Sequence, residues 1–211
     1  GNSVASSGAN TTSLTMTIPT VADGAFLFLT ATNRDSTANL AVVDTAAGGN
    51  LWTRKTTVNA ATNGSGQIWW KRATSATSAK IITVSGATGS VSATMTAYTG
   101  VSLRADPLET PVGEANASGN ETQAQITTGR NGSWVLFSVH CTSNDTLNPT
   151  TYTATSPATL TERAEGVSTG GLDCSSSHAS AEKTSSGATG AISWAQTNGT
   201  GASIAVEVIA A

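Results

Sequence analysis

The chain has 211 residues, enough to bury one large β domain or two small ones. Only 11% of the residues are charged, against roughly 25% in an ordinary soluble domain, and the formal net charge of −3 excludes a self-repelling disordered chain and a basic surface for nucleic acid. No apolar run approaches the roughly 18 residues that cross a membrane, so neither nucleic acid nor membrane is an expected partner.

The first half alternates short apolar or Thr-rich segments with turns that contain Gly, Asn or Asp. This period-2 pattern predicts strands, because successive side chains of a strand point to opposite faces. No segment of helical length shows a 3.6-residue period, and all five prolines fall outside the predicted strands. The predicted strands are residues 13–18, 25–32, 51–58, 67–74, 80–85 and 91–99.

The second half repeats this order of features at a shift of 108 or 109 residues. Gly24 and Gly132 each end a turn before a strongly apolar strand, and LWTR from Leu51 corresponds to LTER from Leu160. We interpret this as an internal duplication. The predicted domains are 1–103 and 114–211, with a linker at 104–113. The strands predicted in the second half are residues 121–127, 133–141, 159–165, 172–180, 190–196 and 202–209.

The expected fold class is all-β, with two related six-stranded halves that resemble a β-sandwich or jelly roll. Residues 25–29 and 134–137 are apolar on both faces, and such strands are buried on both faces. We therefore expect the halves to pack on each other with pseudo-two-fold symmetry, through Phe26 and Phe28 against Trp134 and Leu136. A subunit interface would explain the pattern equally well.

Motifs of hydrolases, metalloproteases and phosphate-binding loops are absent from the sequence, so we predict no enzyme, no catalytic residue, no cofactor and no metal. Gly-Ala-Thr-Gly occurs twice, ending at Gly89 and Gly190, and is interpreted as a turn. His140 and Cys141 are adjacent on one strand and point to opposite faces, which disfavours a shared metal ion. We expect half-exposed histidines and reduced, half-buried thiols at Cys141 and Cys174, with a single disulfide as the alternative.

Tryptophans are the residues with the greatest binding potential. Trp52, Trp69 and Trp70 lie on predicted strands, and the consecutive pair must face opposite ways. One ring is expected in the core. The other is predicted either at an interface or exposed as a stacking platform for a sugar.

Several segments resemble a family of β-rich proteins encoded in phage structural gene clusters. The matching segments are DGAFLFLTA, LWTRKTT, QIWWKRAT and MTAYTGV, followed by the Pro-containing RADPLETPVG; NGSWVLFS and TLTER match in the second half. The resemblance implies a virion structural role without catalytic residues, in a shape similar to carbohydrate-binding modules. The second half lacks the aromatic pair, having Ser175-Ser176 in this stretch, which argues against two sugar sites.

Three functions are consistent with these features. The first is a capsid decoration protein on the surface of a phage head, made in the host cytoplasm, which binds the major capsid protein or other virion proteins and self-associates. The second is a carbohydrate-binding tail or adhesin module with cell-surface glycans as partners. The third is an extracellular filament subunit that donates its leader strand, residues 1–13, to a neighbour.

Overall fold

Antiparallel strands make up the fold. The computed structural model describes residues 3–7, 11–45, 52–60, 64–74, 80–86, 88–116, 121–142, 152–157, 159–168, 173–194 and 200–211. Within these ranges there are eighteen strands and no helix, so the all-β prediction is confirmed. The strands are β1 (Ser3–Ser7), β2 (Ser13–Thr17), β3 (Phe26–Arg34), β4 (Ala41–Asp44), β5 (Thr53–Asn59), β6 (Gly64–Arg72), β7 (Ile81–Ser85), β8 (Val91–Tyr98), β9 (Val112–Asn116), β10 (Glu121–Gln123), β11 (Thr127–Thr128), β12 (Ser133–Cys141), β13 (Tyr152–Thr153), β14 (Thr159–Val167), β15 (Ser175–Lys183), β16 (Gly187–Ala188), β17 (Ile192–Trp194) and β18 (Gly201–Val208).

Every predicted segment contains at least part of an observed strand. Residues 51, 172, 195 and 196 of those segments lie outside the described residues. The prediction missed β1, β4, β9, β13 and β16. These are short strands, of two to five residues, which contain too few positions to show a period.

The described strands form four sheets. A three-stranded sheet has the order β2-β7-β4, and a five-stranded sheet has the order β1-β8-β3-β6-β5. An eight-stranded sheet has the order β10-β17-β13-β14-β15-β12-β18-β9, and β11 pairs with β16 alone. Each large sheet has a long strand near its middle, β3 or β12, hydrogen-bonded on both sides.

Three hydrophobic clusters fill the spaces between the packed sheets. The first lies between the three-stranded and five-stranded sheets and contains Met16, Leu29 and Val84. The second lies inside the eight-stranded sheet, which folds over on itself: the rings of Phe137 and Tyr152 are 5.8 Å apart although two strands separate β12 from β13. In a flat sheet such residues would lie roughly 14 Å apart. The third cluster lies between the two large sheets.

This third cluster follows from the alternation of β3 and β12. Phe26 and Phe28 of β3 and Leu136 of β12 belong to it, together with residues of β6, β8 and β18. Leu29 and Phe137, one position along, belong to the clusters on the other faces. The predicted packing through these two strands is therefore confirmed: each is covered on both faces.

Features of the predicted duplication recur in the strand order. Across the eight-stranded sheet, β9-β18-β12-β15-β14 have the same relative order as β1-β8-β3-β6-β5 have across the five-stranded sheet. Register shifts also fall in β5 and β14, 108 residues apart (54 to 162 and 56 to 164). The duplication, the pseudo-two-fold symmetry and the domain boundaries stay predictions. The predicted linker 104–113 is joined to the fold, because Leu108 bridges to Val208 and residues 112–113 begin β9.

Candidate functional site

The three tryptophans selected from the sequence are buried, with Trp52 6% exposed and Trp69 and Trp70 each 8% exposed. Trp52 and Trp69 pack between the three-stranded and five-stranded sheets. Trp70 packs between the large sheets, stacked on Phe26 with the ring centroids 5.9 Å apart. The opposite orientation of Trp69 and Trp70 is confirmed. The alternative of an exposed ring is not supported, because all three side chains are buried; a ligand-binding or interface role of these residues stays a prediction.

Trp52 has a polar role inside the core. Its indole N–H donates to Asp44 Oδ2 at 2.9 Å. The same oxygen accepts a hydrogen bond from Lys71 Nζ at 2.5 Å. Both charged side chains of this ion pair are almost fully buried, at 3% exposed for Lys71 and 0% for Asp44. The pair therefore joins β4 of the three-stranded sheet to β6 of the five-stranded sheet.

Both histidines are buried between the two large sheets, which corrects the prediction that they are half-exposed. The His178 Nδ1–H donates to the carbonyl of Phe137 at 3.2 Å, and the Tyr98 hydroxyl donates to Nε2 at 2.5 Å. A carbonyl can only accept, so Nδ1 carries the proton, and in the neutral ring Nε2 is then the acceptor for the Tyr98 hydroxyl. Burial lowers the pKa of His178 to about 3.

His140 is held by the hydroxyls of β3. Thr32 donates its hydroxyl proton to the carbonyl of Ser175 at 2.7 Å, so His140 Nδ1–H donates to Thr32 Oγ1 at 3.0 Å. Thr30 and Ser138 hydroxyls lie 3.1 and 3.0 Å from Nε2. Burial lowers the pKa of His140 to about 3. One end of the interface between the two large sheets is therefore apolar. The other end is polar, and its hydrogen bonds depend on neutral imidazole rings.

Gly66 on β6 provides the space for His140. A Cβ atom at Gly66 would lie 2.3 Å from Cδ2 of the buried imidazole. We expect Gly66→Ala to lower the free energy of unfolding by about 1–3 kcal/mol, as overpacking does. Urea titration would measure this. As a control, Gly129→Ala meets its nearest atom at an ordinary 3.9 Å and is expected to change stability by less than about 0.5 kcal/mol. An equal loss in both variants would contradict the packing argument.

The two cysteines are buried and form no disulfide, which confirms the reduced interpretation and corrects the expected half-burial. Cys141 lies on the same face of β12 as Phe137, in the second cluster, which also contains Tyr152. Cys174 lies near Ser92 of the other large sheet, and burial raises its pKa to about 12. A thiol with such a pKa is unreactive near neutral pH.

The fourth tryptophan along the chain, Trp134, is the half-buried one; it was predicted to pack between the halves and was not selected as a binding residue. It lines a cavity of about 340 Å³ with Tyr98 and Arg163. The Tyr98 and Trp134 rings are 5.5 Å apart, and the Arg163 guanidinium carbon lies 5.9 Å from the centroid of the Trp134 ring. The strand prediction for 133–141 places Trp134 near the start of a strand. It does not indicate that Trp134 lies beside Arg163 of β14.

A second accessible feature is the outer face of the three-stranded sheet. Its strands alternate between buried and accessible residues, and the buried set packs in the first cluster. None of the eight outward-facing residues is charged. Val43 and Ile81, at 47% and 46% exposed, are two of the three large apolar residues that are exposed in the described part of the chain. The outer-face residues are Ser13, Thr15, Thr17, Ala41, Val43, Ile81, Thr83 and Ser85.

The described ranges contain neither of two further kinds of site. No group of three or more His, Cys, Asp or Glu side chains there is placed to hold a metal ion. His140 faces the threonine hydroxyls of β3 and Cys141 faces the second cluster, as their adjacency in a strand predicts. In the same ranges no helix is long and apolar enough to span a bilayer.

Comparison with known proteins adds no relative: no protein family, no curated protein and no solved structure matches this chain.

Proposed function

We propose that this protein is a non-enzymatic structural component of a bacteriophage particle, located on the virion surface as a capsid decoration protein. The observation that supports the proposal is the charge-free outer face of the three-stranded sheet. The resemblance to virion proteins supplies the partner, the major capsid protein. A flat face of Thr, Ser and small apolar side chains is dehydrated at low cost, because no ion has to leave water.

The size of this face bears on how it would bind. Three strands and five residue positions span roughly 10 by 14 Å, far less than the roughly 800 Å² per partner of a stable interface. A single contact would therefore be weak. Repeated contacts on a capsid lattice, or self-association of the chain, would raise the overall affinity through multivalency.

The other two functions lose their specific support. The tryptophans chosen as a sugar platform are buried. The leader strand β1 pairs with β8 of its own chain in an antiparallel register from Ser3↔Thr96 to Ser7↔Ser92, so it is not left for donation to a neighbour. The lattice-binding proposal depends on neither feature.

The test places charge on the outer face. The double variant Val43→Lys with Ile81→Lys is expected to bind heads at least about tenfold more weakly, because a buried unpaired charge costs more than 1.4 kcal/mol. Binding is measured by co-sedimentation with heads that the encoding phage assembles without this chain. Leu103→Lys is the control, since Leu103 is 85% exposed and lies outside the face.

Two results would contradict the proposal. One is wild-type protein that stays monomeric and does not sediment with the heads. The other is equal loss of binding in the double variant and in Leu103→Lys, which would show that the outer face is not the contact. Circular dichroism of both variants verifies that they are folded.

A further inference from the structure

We propose that the cavity at Trp134 and Arg163 binds a carboxylated sugar residue. In this arrangement the Arg163 guanidinium pairs with the carboxylate, and the apolar face of the sugar ring packs on Trp134. The site is separate from the outer face of the three-stranded sheet, and nothing in the inference depends on binding to a capsid.

The charge of the cavity indicates an anionic ligand. Among the described residues that line it, Arg163 is the only one with a charged side chain. The ion pairs found among the described residues do not include Arg163, and its one hydrogen bond there runs from Nε to Ser180 Oγ at 2.8 Å. The two Nη groups therefore remain available for the paired hydrogen bonds by which arginine binds a carboxylate.

The guanidinium is also held in place before a ligand arrives. The Ser180 contact anchors Nε, and the guanidinium carbon lies 5.9 Å from the Trp134 ring centroid. The neighbouring acidic residues of β14, Glu162 and Glu165, do not line the cavity, and Glu162 accepts a hydrogen bond from Ser177 at 3.4 Å. An anchored side chain loses less entropy on binding, which favours affinity.

The two aromatic side chains that line the cavity, Trp134 and Tyr98, indicate a ring-shaped ligand. Trp134 is the half-buried tryptophan, whereas Trp194 is 3% exposed and the other three are buried as described above. Tyr98 lies against it at 5.5 Å, and the Tyr98 hydroxyl is fixed by its bond to His178. A rigid indole beside a polar rim is the environment in which the apolar face of a sugar can stack.

The remaining wall and the volume agree with a polyol of small size. Thr20, Thr96 and Thr99 are among the residues that line the cavity, so its wall is not wholly apolar. The volume of about 340 Å³ is at the small end of ligand cavities, which run from about 300 to 1,000 Å³. A neutral sugar would leave the guanidinium unpaired, and a small inorganic anion would not use the indole face.

The experiment uses the full chain and a set of defined probes. Glucuronate, galacturonate and N-acetylneuraminate are the carboxylated sugars, glucose is the neutral match, and acetate carries a carboxylate without a ring. Titration calorimetry and saturation-transfer NMR measure binding. At least one acidic sugar is expected to bind about tenfold or more tightly than glucose and acetate, because it alone makes both contacts.

Arg163→Gln is expected to weaken that binding by about tenfold to a hundredfold, the effect of removing a charge-assisted pair. The matched control is Arg54→Gln, because Arg54 lies 5.7 Å from the ring centroid of Trp69 but does not line the cavity. Trp134→Phe, which keeps an aromatic ring in the wall, is expected to weaken binding less than Arg163→Gln. NMR spectra verify that each variant is folded.

Three outcomes would overturn the inference. If no acidic sugar binds to the folded wild-type protein, the cavity is not a site for this class. If acetate binds as well as the sugars, the site recognises a carboxylate alone. If glucose binds equally and Arg163→Gln has no effect, the charge plays no part.

Discussion

Acidification is expected to destabilise this protein steeply below pH 6.5, through His140 and His178. Burial lowers the pKa of each imidazole from 6.5 to about 3. Between these values the unfolded chain takes up a proton at each histidine while the folded chain does not. The histidine contribution to stability is therefore complete above pH 6.5 and is lost as the pH falls, at about 1.4 kcal/mol per pH unit for each residue.

Glu165 acts in the same range with the opposite sign. The pKa of Glu165 is raised from 4.5 to about 7 by burial and by the nearby Glu162. Its folded form binds a proton more readily than the unfolded form, so its contribution increases stability as the pH falls from about 7 to 4.5. Glu165 is only half-buried, so solvent screening reduces its effect. Arg163, near His178, further disfavours protonation of that ring. The two fully buried histidines dominate.

Urea titrations at a series of pH values would measure this dependence. In His140→Asn and His178→Asn, the amide nitrogen replaces imidazole Nδ1 but does not titrate. Each variant is expected to be less stable at neutral pH, and to show a slope lower by about 1.4 kcal/mol per pH unit between pH 6.5 and about 4. If the double variant kept the wild-type slope, the acid sensitivity would have to come from another group.

Breaking the buried ion pair is the second change expected to have a large effect. Lys71→Met leaves the Asp44 carboxylate buried without its ammonium partner, although the Trp52 indole still donates to it. We expect a loss of about 3–5 kcal/mol in the free energy of unfolding, because desolvation of the remaining charge is no longer compensated. Denaturant unfolding monitored by tryptophan fluorescence would measure it.

The matched control is an exposed ion pair. Arg104 and Glu109 are 3.3 Å apart with side chains 53% and 49% exposed, so Arg104→Met is expected to change stability by at most about 1 kcal/mol. A double variant, Lys71→Met with Asp44→Leu, is expected to be more stable than Lys71→Met alone, since no buried charge remains. A double variant that is no more stable would show that the loss comes from packing of the lysine stem.

The accuracy of the strand predictions depended on strand length and position. The long strands β3 and β12 have strongly apolar runs, and both were predicted within two residues at either end. The strand β4 was not predicted, because its four residues AVVD are too few to show a period. Its two buried residues become visible only when the first cluster is assembled around Val42.

The candidate sites were less predictable than the strands. Trp69 and Trp70 were correctly assigned to opposite faces, yet the sequence alone does not tell which face is exposed to solvent. Trp134 lies 29 residues before Arg163, in a different strand, and the two meet only because the eight-stranded sheet brings β12 and β14 onto one side of the cavity. No local pattern contains that contact.

The sequence by itself determined the all-β class, most strand positions and the burial of Phe26, Phe28 and Leu136, because period and hydrophobicity are local properties of the chain. The low charge is also a property of composition alone. Only the tertiary structure decided which polar residues are buried: Thr30, Thr32, Ser138 and His140 alternate like surface residues, but a second sheet covers them. Whether a strand face meets solvent or another sheet depends on contacts over 100 residues apart, such as Thr30 with His140.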